Sequence, residues 1–165
     1  MALDPTPSQT VGPFFSLGLC VRPANELVRG GPVQIEGRVL DGAGDGVPDA
    51  MVEIWQATPE GGYEGTFGWG RCGTDAGGTY SFTTSKPGPV DGQAPHLLVL
   101  VFARGLLRPV LTRMYFPDEE AANAVDPVLA SAGGDASTLV AESDNGTLRF
   151  DIRLQGERQT AFFEL

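Results

Sequence analysis

Pro95-His96-Leu97-Leu98-Val99-Leu100-Val101-Phe102-Ala103-Arg104-Gly105 is the stretch that decides the fold of this chain. Leu97 to Phe102 is its longest unbroken apolar run, with β-branched and aromatic members between Pro/Gly punctuation. That pattern suits a strand covered on both faces better than a helix. The core is expected to form around it. The single histidine, His96, stands at the mouth of this strand and Arg104 at its far end, so polar groups mark both rims of a buried element.

Working outward, Val33 to Val39 alternates apolar and polar residues as a strand with one wet face does. Asp41-Gly42-Ala43-Gly44-Asp45-Gly46 turns the chain. Ala50 to Ala57 then brings it back, with Ala50, Val52 and Ile54 on one face and Glu53 on the other, as a hairpin or a sandwich corner. A glycine-rich loop covers Pro59 to Gly70, and Thr79 to Thr83 resumes the alternation with aromatics on one face. Leu111 to Phe116 reads as a further strand. Pro117 to Ala122 carries helix-start chemistry, and Pro127 limits that helix. Asn145-Gly146 signals a hairpin turn, followed by Leu148, Phe150, Ile152 and Leu154 on one face. The fold class expected is all-β: an antiparallel β-sandwich of about seven to eight strands with one short helix. The proline-rich residues 1–15 form an extended N-terminal arm, and Thr10 to Phe15 is apolar enough to need covering.

At 165 residues, positions 1–165 fit one domain. A net charge of -10 with no run of Lys or Arg disfavours nucleic acid and anionic membrane as partners. Cys20 and Cys72, without a secretion signal, fit reduced thiols, and no run approaches the roughly 18 apolar residues of a membrane span. A cytoplasmic protein is the expectation.

Side-chain chemistry is sparse. One histidine cannot make a metal site unless Tyr, Asp, Glu or Cys complete it, and no tight cluster of these surrounds His96 in sequence. Ser-His-Asp catalysis lacks a nucleophile-elbow pattern. Arg104, at the end of a buried strand, needs either a structural carboxylate or an anionic ligand for its planar fork. Trp55 and Trp69 read as core and loop packing.

In chain order, Trp55-Gln56-Ala57, Gly70-Arg71-Cys72-Gly73-Thr74-Asp75, Gly78-Thr79-Tyr80-Ser81-Phe82, Lys86-Pro87-Gly88-Pro89 and Pro95-His96 resemble the linked motifs of the intradiol ring-cleaving dioxygenases. The opening Thr6 to Pro13 and the closing Arg149 to Gly156 extend the resemblance over nearly the whole chain. Iron-bearing members of that family hold a non-haem ferric ion with two tyrosines and two histidines. At the matching positions this chain has Val90 in place of one tyrosine and Leu98 in place of one histidine, which leaves His96. Tyr63, nearest to the second tyrosine, lies too far upstream in a shortened loop. One ligand of four does not hold ferric iron, so no metal-ligating residue is assigned here.

The resemblance therefore implies a heteromer of the protocatechuate-cleaving type. In it, Fe(3+) is bound by a homologous iron-binding beta subunit, and this chain completes the pocket for protocatechuate and dioxygen. Positions that reach the substrate in the family map onto Thr10, Gly12, Pro13 and Arg104, with Arg104 as the catalytic candidate offsetting anionic charge. Two other readings stand beside it. One is a self-sufficient intradiol enzyme with iron on His96, Tyr63 and Tyr115; the other is a non-catalytic β-sandwich binding module.

Overall fold

In the computed structural model, which describes residues 5–12, 14–22 and 24–164, the chain runs α1 (Phe15–Leu19), β1 (Val33–Leu40), β2 (Met51–Gln56), β3 (Trp69–Gly73), β4 (Thr79–Thr84), β5 (His96–Phe102) and β6 (Val110–Tyr115). It continues through α2 (Glu120–Asn123), α3 (Pro127–Ser131), a 3-10 helix (Gly133–Leu139), β7 (Glu142–Asp144), β8 (Thr147–Arg149) and β9 (Ile152–Arg153). Two sheets face each other. One is antiparallel with strand order β3-β2-β5-β6; the other has order β4-β1-β8-β7, with β9 also on β1. The core lies between them, where Ile35, Val39 and Phe82 meet Val52, Ile54, Leu97, Val99 and Val101, all buried. This is the expected β-sandwich.

β5 sits inside its sheet, paired along its length to β2 and β6. Only one of its faces is fully covered, which departs from the expectation of two. Leu98, Leu100 and Phe102 point outward and stay half-buried, while Leu97, Val99 and Val101 are buried. Trp55 and Trp69, expected to be packed, are cross-strand partners on that same outer face, 41% and 42% exposed. An apolar run longer than the core needs is thus left with one face for a partner.

Of the two readings for the turn after β1, the corner is the one formed, because β1 and β2 belong to different sheets. The Asp41 carboxylate accepts hydrogen bonds from the Ala43 and Asp45 N–H groups at 2.9 and 3.0 Å, fixing a tight turn that lifts the chain from one sheet to the other. Nine strands form among the described residues, more than expected, because the segment after the Asn145-Gly146 hairpin breaks into β8 and β9. At the break the Asp151 side chain accepts the Arg38 N–H at 3.0 Å in place of a ladder carbonyl. Gly37 is required there, since a Cβ would collide with the Phe150 carbonyl, which also accepts the Tyr80 hydroxyl at 2.6 Å.

Helix content also exceeds the one short helix expected. Pro127 opens α3 rather than ending α2, because Asp126 caps it by accepting the Val128 and Leu129 N–H groups, both at 2.8 Å. α1 starts at Phe15, the last residue of the stretch read as an extended arm, and runs beyond it, where Cys20 N–H closes its turn on the Ser16 carbonyl.

Candidate functional site

β5 has a polar group at each rim, and these rims are two different places. Six residue steps at about 3.3 Å put roughly 20 Å between them.

At the far rim the arm docks. The Thr10 hydroxyl accepts the Gly105 N–H at 2.8 Å, and Val11 lies in a small cavity of about 70 Å³ against Phe102, Leu106 and Leu107. Gly105 takes φ +90°, and Leu106 N–H closes the turn on the Ala103 carbonyl at 3.2 Å. That turn projects Arg104 away from the core, with its side chain 58% exposed. Its Nε lies 3.7 Å from Asp49 Oδ1, an ion pair too long for a hydrogen bond. That buried carboxylate oxygen accepts no hydrogen bond among the described residues. The fold thus brings Thr10 and Arg104 together, with Gly12 two residues along the arm. A Cβ on Gly12 would meet nothing within 4 Å, so packing among the described residues does not demand glycine there. Pro13 lies outside the described residues.

At the near rim stand the positions that the resemblance matches to iron ligands. Val90 and Leu98 carry no donor atom. His96, 6% exposed, donates from Nδ1 to the Ala94 carbonyl at 2.8 Å, since a carbonyl can only accept. Burial pushes its pKa below the ordinary histidine value and the Arg113 charge lowers it too, against the Ala94 carbonyl and Asp126, which raise it. Tyr63 leans on Trp55 with ring centroids 4.7 Å apart, and burial lifts its pKa. The Tyr115 hydroxyl donates to Asp126 Oδ1 at 3.2 Å; burial is the main reason its pKa is pushed up to about 12.

Arg113 is the residue that sequence reasoning missed. Paired across the ladder with Leu98, it gives Nη1 to Gln93 Oε1 at 2.7 Å and to the Tyr115 oxygen at 3.3 Å, and its charge acts on Tyr63, His96 and Tyr115 alike. Alternation in β6 placed it on the outer face beside Leu98, which was the available signal. A fixed guanidinium beside two apolar replacements does not fit a ferric ion, so the reading with iron on His96, Tyr63 and Tyr115 is not favoured by this donor set. Among the described residues no group of three or more His, Cys, Asp or Glu is placed to share a metal.

Comparison with known proteins places the chain in a family. The dioxygenase family profile matches residues 18–156. The chain is 38% identical over 194 residues to the protocatechuate 3,4-dioxygenase alpha chain of Burkholderia cepacia, covering 99% of this chain and 98% of that one. It is 34% identical over 151 residues to the beta chain from the same organism, covering 80% of this chain and 61% of that one. Among solved structures, the dioxygenase domain of a carbohydrate-binding fusion protein from Streptomyces sp. SirexAA-E superposes with a TM-score of 0.64 at 26% identity, covering 93% of this chain and 99% of that domain.

Proposed function

The chain belongs to the intradiol dioxygenase family, and from that membership we propose that it is the alpha subunit of a protocatechuate 3,4-dioxygenase. In this reading a homologous beta subunit holds the ferric ion, and the alpha chain supplies one wall of the pocket. The holoenzyme inserts both atoms of dioxygen between the two hydroxyl-bearing carbons of protocatechuate and yields 3-carboxy-cis,cis-muconate.

The observation that carries the proposal is the separation of the two rims. Thr10 and Arg104 lie at the end of β5 away from His96, which supports a pocket in which this chain gives the substrate-side residues and another chain the metal. In this reading the second chain faces the Thr10–Arg104 corner. The half-covered outer face of β5 and the exposed Phe14, Leu17 and Val21 offer it apolar area.

Within the pocket Arg104 binds and orients an anionic group of the substrate or of the ring-opened product through its fork, while Gly12 beside Thr10 lets the arm's backbone lie close to the ring; the resemblance assigns Pro13 to the same wall. The bound ferric ion of the partner supplies activation of the catecholate toward dioxygen.

Iron analysis and a visible spectrum on this chain alone, then on the chain produced together with an iron-bearing homologue, test the proposal. The expected result is colourless, inactive protein alone, and iron with turnover in the complex. Arg104→Ala in that complex should lower kcat/KM about 30- to 1000-fold, the range for loss of a preorganised charge partner, with iron unchanged. Stoichiometric iron with a tyrosinate-to-iron absorption band in the chain alone sinks it.

A further inference from the structure

The sequence has no run of basic residues, yet the fold assembles a basic site in a chain of net charge -10. Arg149, Arg153 and Arg158, three of its eleven Lys and Arg residues, line one cavity of about 110 Å³ with Ser137, Thr138 and Thr160. That is room for more than a single water. A turn after β9 builds it: Gln159 N–H bonds the Gly156 carbonyl at 3.2 Å, and Thr160 N–H returns to the Arg153 carbonyl at 3.1 Å. Thr160 Oγ1 in turn accepts the Arg153 N–H at 2.9 Å. Arg158 is thereby held beside β9, in a left-handed conformation of φ 57°.

The charges on this site are not balanced. Arg149 gives Nη2 to Asp151 Oδ2 at 3.0 Å, and the other Asp151 oxygen accepts the Arg38 N–H at 3.0 Å. Glu142 is the other carboxylate on the wall. Among the described residues neither the Arg153 nor the Arg158 guanidinium has a carboxylate or hydrogen-bond partner. Ser137 also has none, and Thr160, only 1% exposed, has no acceptor for its hydroxyl hydrogen. Two planar forks and two hydroxyl donors, all without acceptors, face one concavity. Arg158 and Ser137 are exposed at the mouth of this concavity and Thr160 is buried at its floor; donors so gathered suit an oxyanion, which offers several lone pairs at once and fits arginine forks bidentately.

We propose that this cavity binds a small multivalent oxyanion, either phosphate or a polycarboxylate, between Arg153, Arg158 and the Ser137 and Thr160 hydroxyls. None of these residues belongs to the Thr10–Arg104 corner.

Calorimetric titration of the full chain with inorganic phosphate, and separately with citrate, tests it at ionic strength held constant with sodium chloride. One saturable site per chain is expected, tighter for phosphate or for citrate according to which chemistry it serves. Arg153→Gln and Arg158→Gln should each weaken binding about tenfold or more, the usual scale for losing a charged bidentate contact. Ser137→Asp alters no hydrogen bond of the fold, so it keeps the test open if an arginine variant fails to fold. Placing a negative charge on the wall, it should weaken binding as much. Heat no larger than chloride gives, or equal affinity in the wild type and these variants, overturns the assignment.

Discussion

Asp49 holds φ 63°, and one oxygen of its side chain is buried, accepts no hydrogen bond among the described residues and lies 3.7 Å from Arg104 Nε. Contact through Nε leaves both terminal nitrogens of Arg104 free to point outward, so Asp49 acts as a positioning residue for the fork. Asp49→Asn keeps the shape and tolerates the left-handed backbone. In the assembled enzyme it should raise KM for protocatechuate about two- to fivefold with kcat little changed, matching about 0.4–1 kcal/mol for a half-exposed ion pair. An unchanged KM would remove Asp49 from that role.

Asp126 has the opposite character. It is fully buried and accepts the Ala94, Val128 and Leu129 N–H groups at 2.8 Å, and the Tyr115 hydroxyl at 3.2 Å. Burial alone would raise its pKa; the bonds from Leu129, Ala94, Tyr115 and Val128 outweigh it and hold the carboxyl below its usual value. Asp126→Ala strands these donors and removes a helix cap, and should cost about 3–5 kcal/mol in urea unfolding. Asn caps helices nearly as well, so Asp126→Asn should recover part of that loss.

At the scale of elements, most of the sandwich is legible in the sequence and most of its departures are local. Val33–Val39, Thr79–Thr83 and the β5 run show period-2 or continuous apolar patterning because each presents a face to one core. The break between β8 and β9 is invisible to that pattern, since Phe150 and Ile152 remain buried on either side of it while the Asp151 side chain stands in for backbone. The start of α3 is legible only if Pro127 is read together with Asp126 as a cap, because proline alone reads as a stop. The Thr10–Arg104 corner is readable by resemblance; Asp49 is not, as it approaches Arg104 from the end of a sheet-crossing turn far away in sequence. The arginine cavity is unreadable for the same reason, with its hydroxyls drawn from the 3-10 helix and the turn after β9.

Helix α1 carries a prediction at this scale. Phe14, Leu17 and Val21 are 76%, 66% and 71% exposed, clustered on and beside one short helix next to the arm. Replacing Leu17 and Val21 together by Ser should leave the fold intact and weaken association with the beta subunit about tenfold or more, as apolar anchors at interfaces do. Analytical ultracentrifugation with the partner would show it. Undiminished association would assign this helix some other neighbour.

For the whole molecule, His96 ties stability to pH. Its folded pKa is depressed, chiefly by burial and secondarily by Arg113, against the opposing Ala94 carbonyl and Asp126. The neutral ring is therefore the form the fold prefers. Its contribution is complete above the unfolded value of about 6.5 and is lost as pH falls from there through the folded pKa. Urea midpoints should decline between about pH 7 and 5 in the wild type and decline less in His96→Gln. Parallel declines in both proteins would mean that other groups dominate.

The pairing of β1 reaches further than the static sandwich. Its antiparallel neighbour β4 follows within fifty residues, but its parallel partners are β8 and β9, with Gln34 opposite Thr147 and Val39 opposite Ile152. During synthesis, one edge of β1 stays open until more than a hundred further residues have left the ribosome. For that interval its unpaired N–H and C=O groups are a template for any passing strand. The yield of correctly folded chain should thus depend on how fast residues 147–153 are delivered, so slow codons upstream of them carry a cost that no property of the finished protein records.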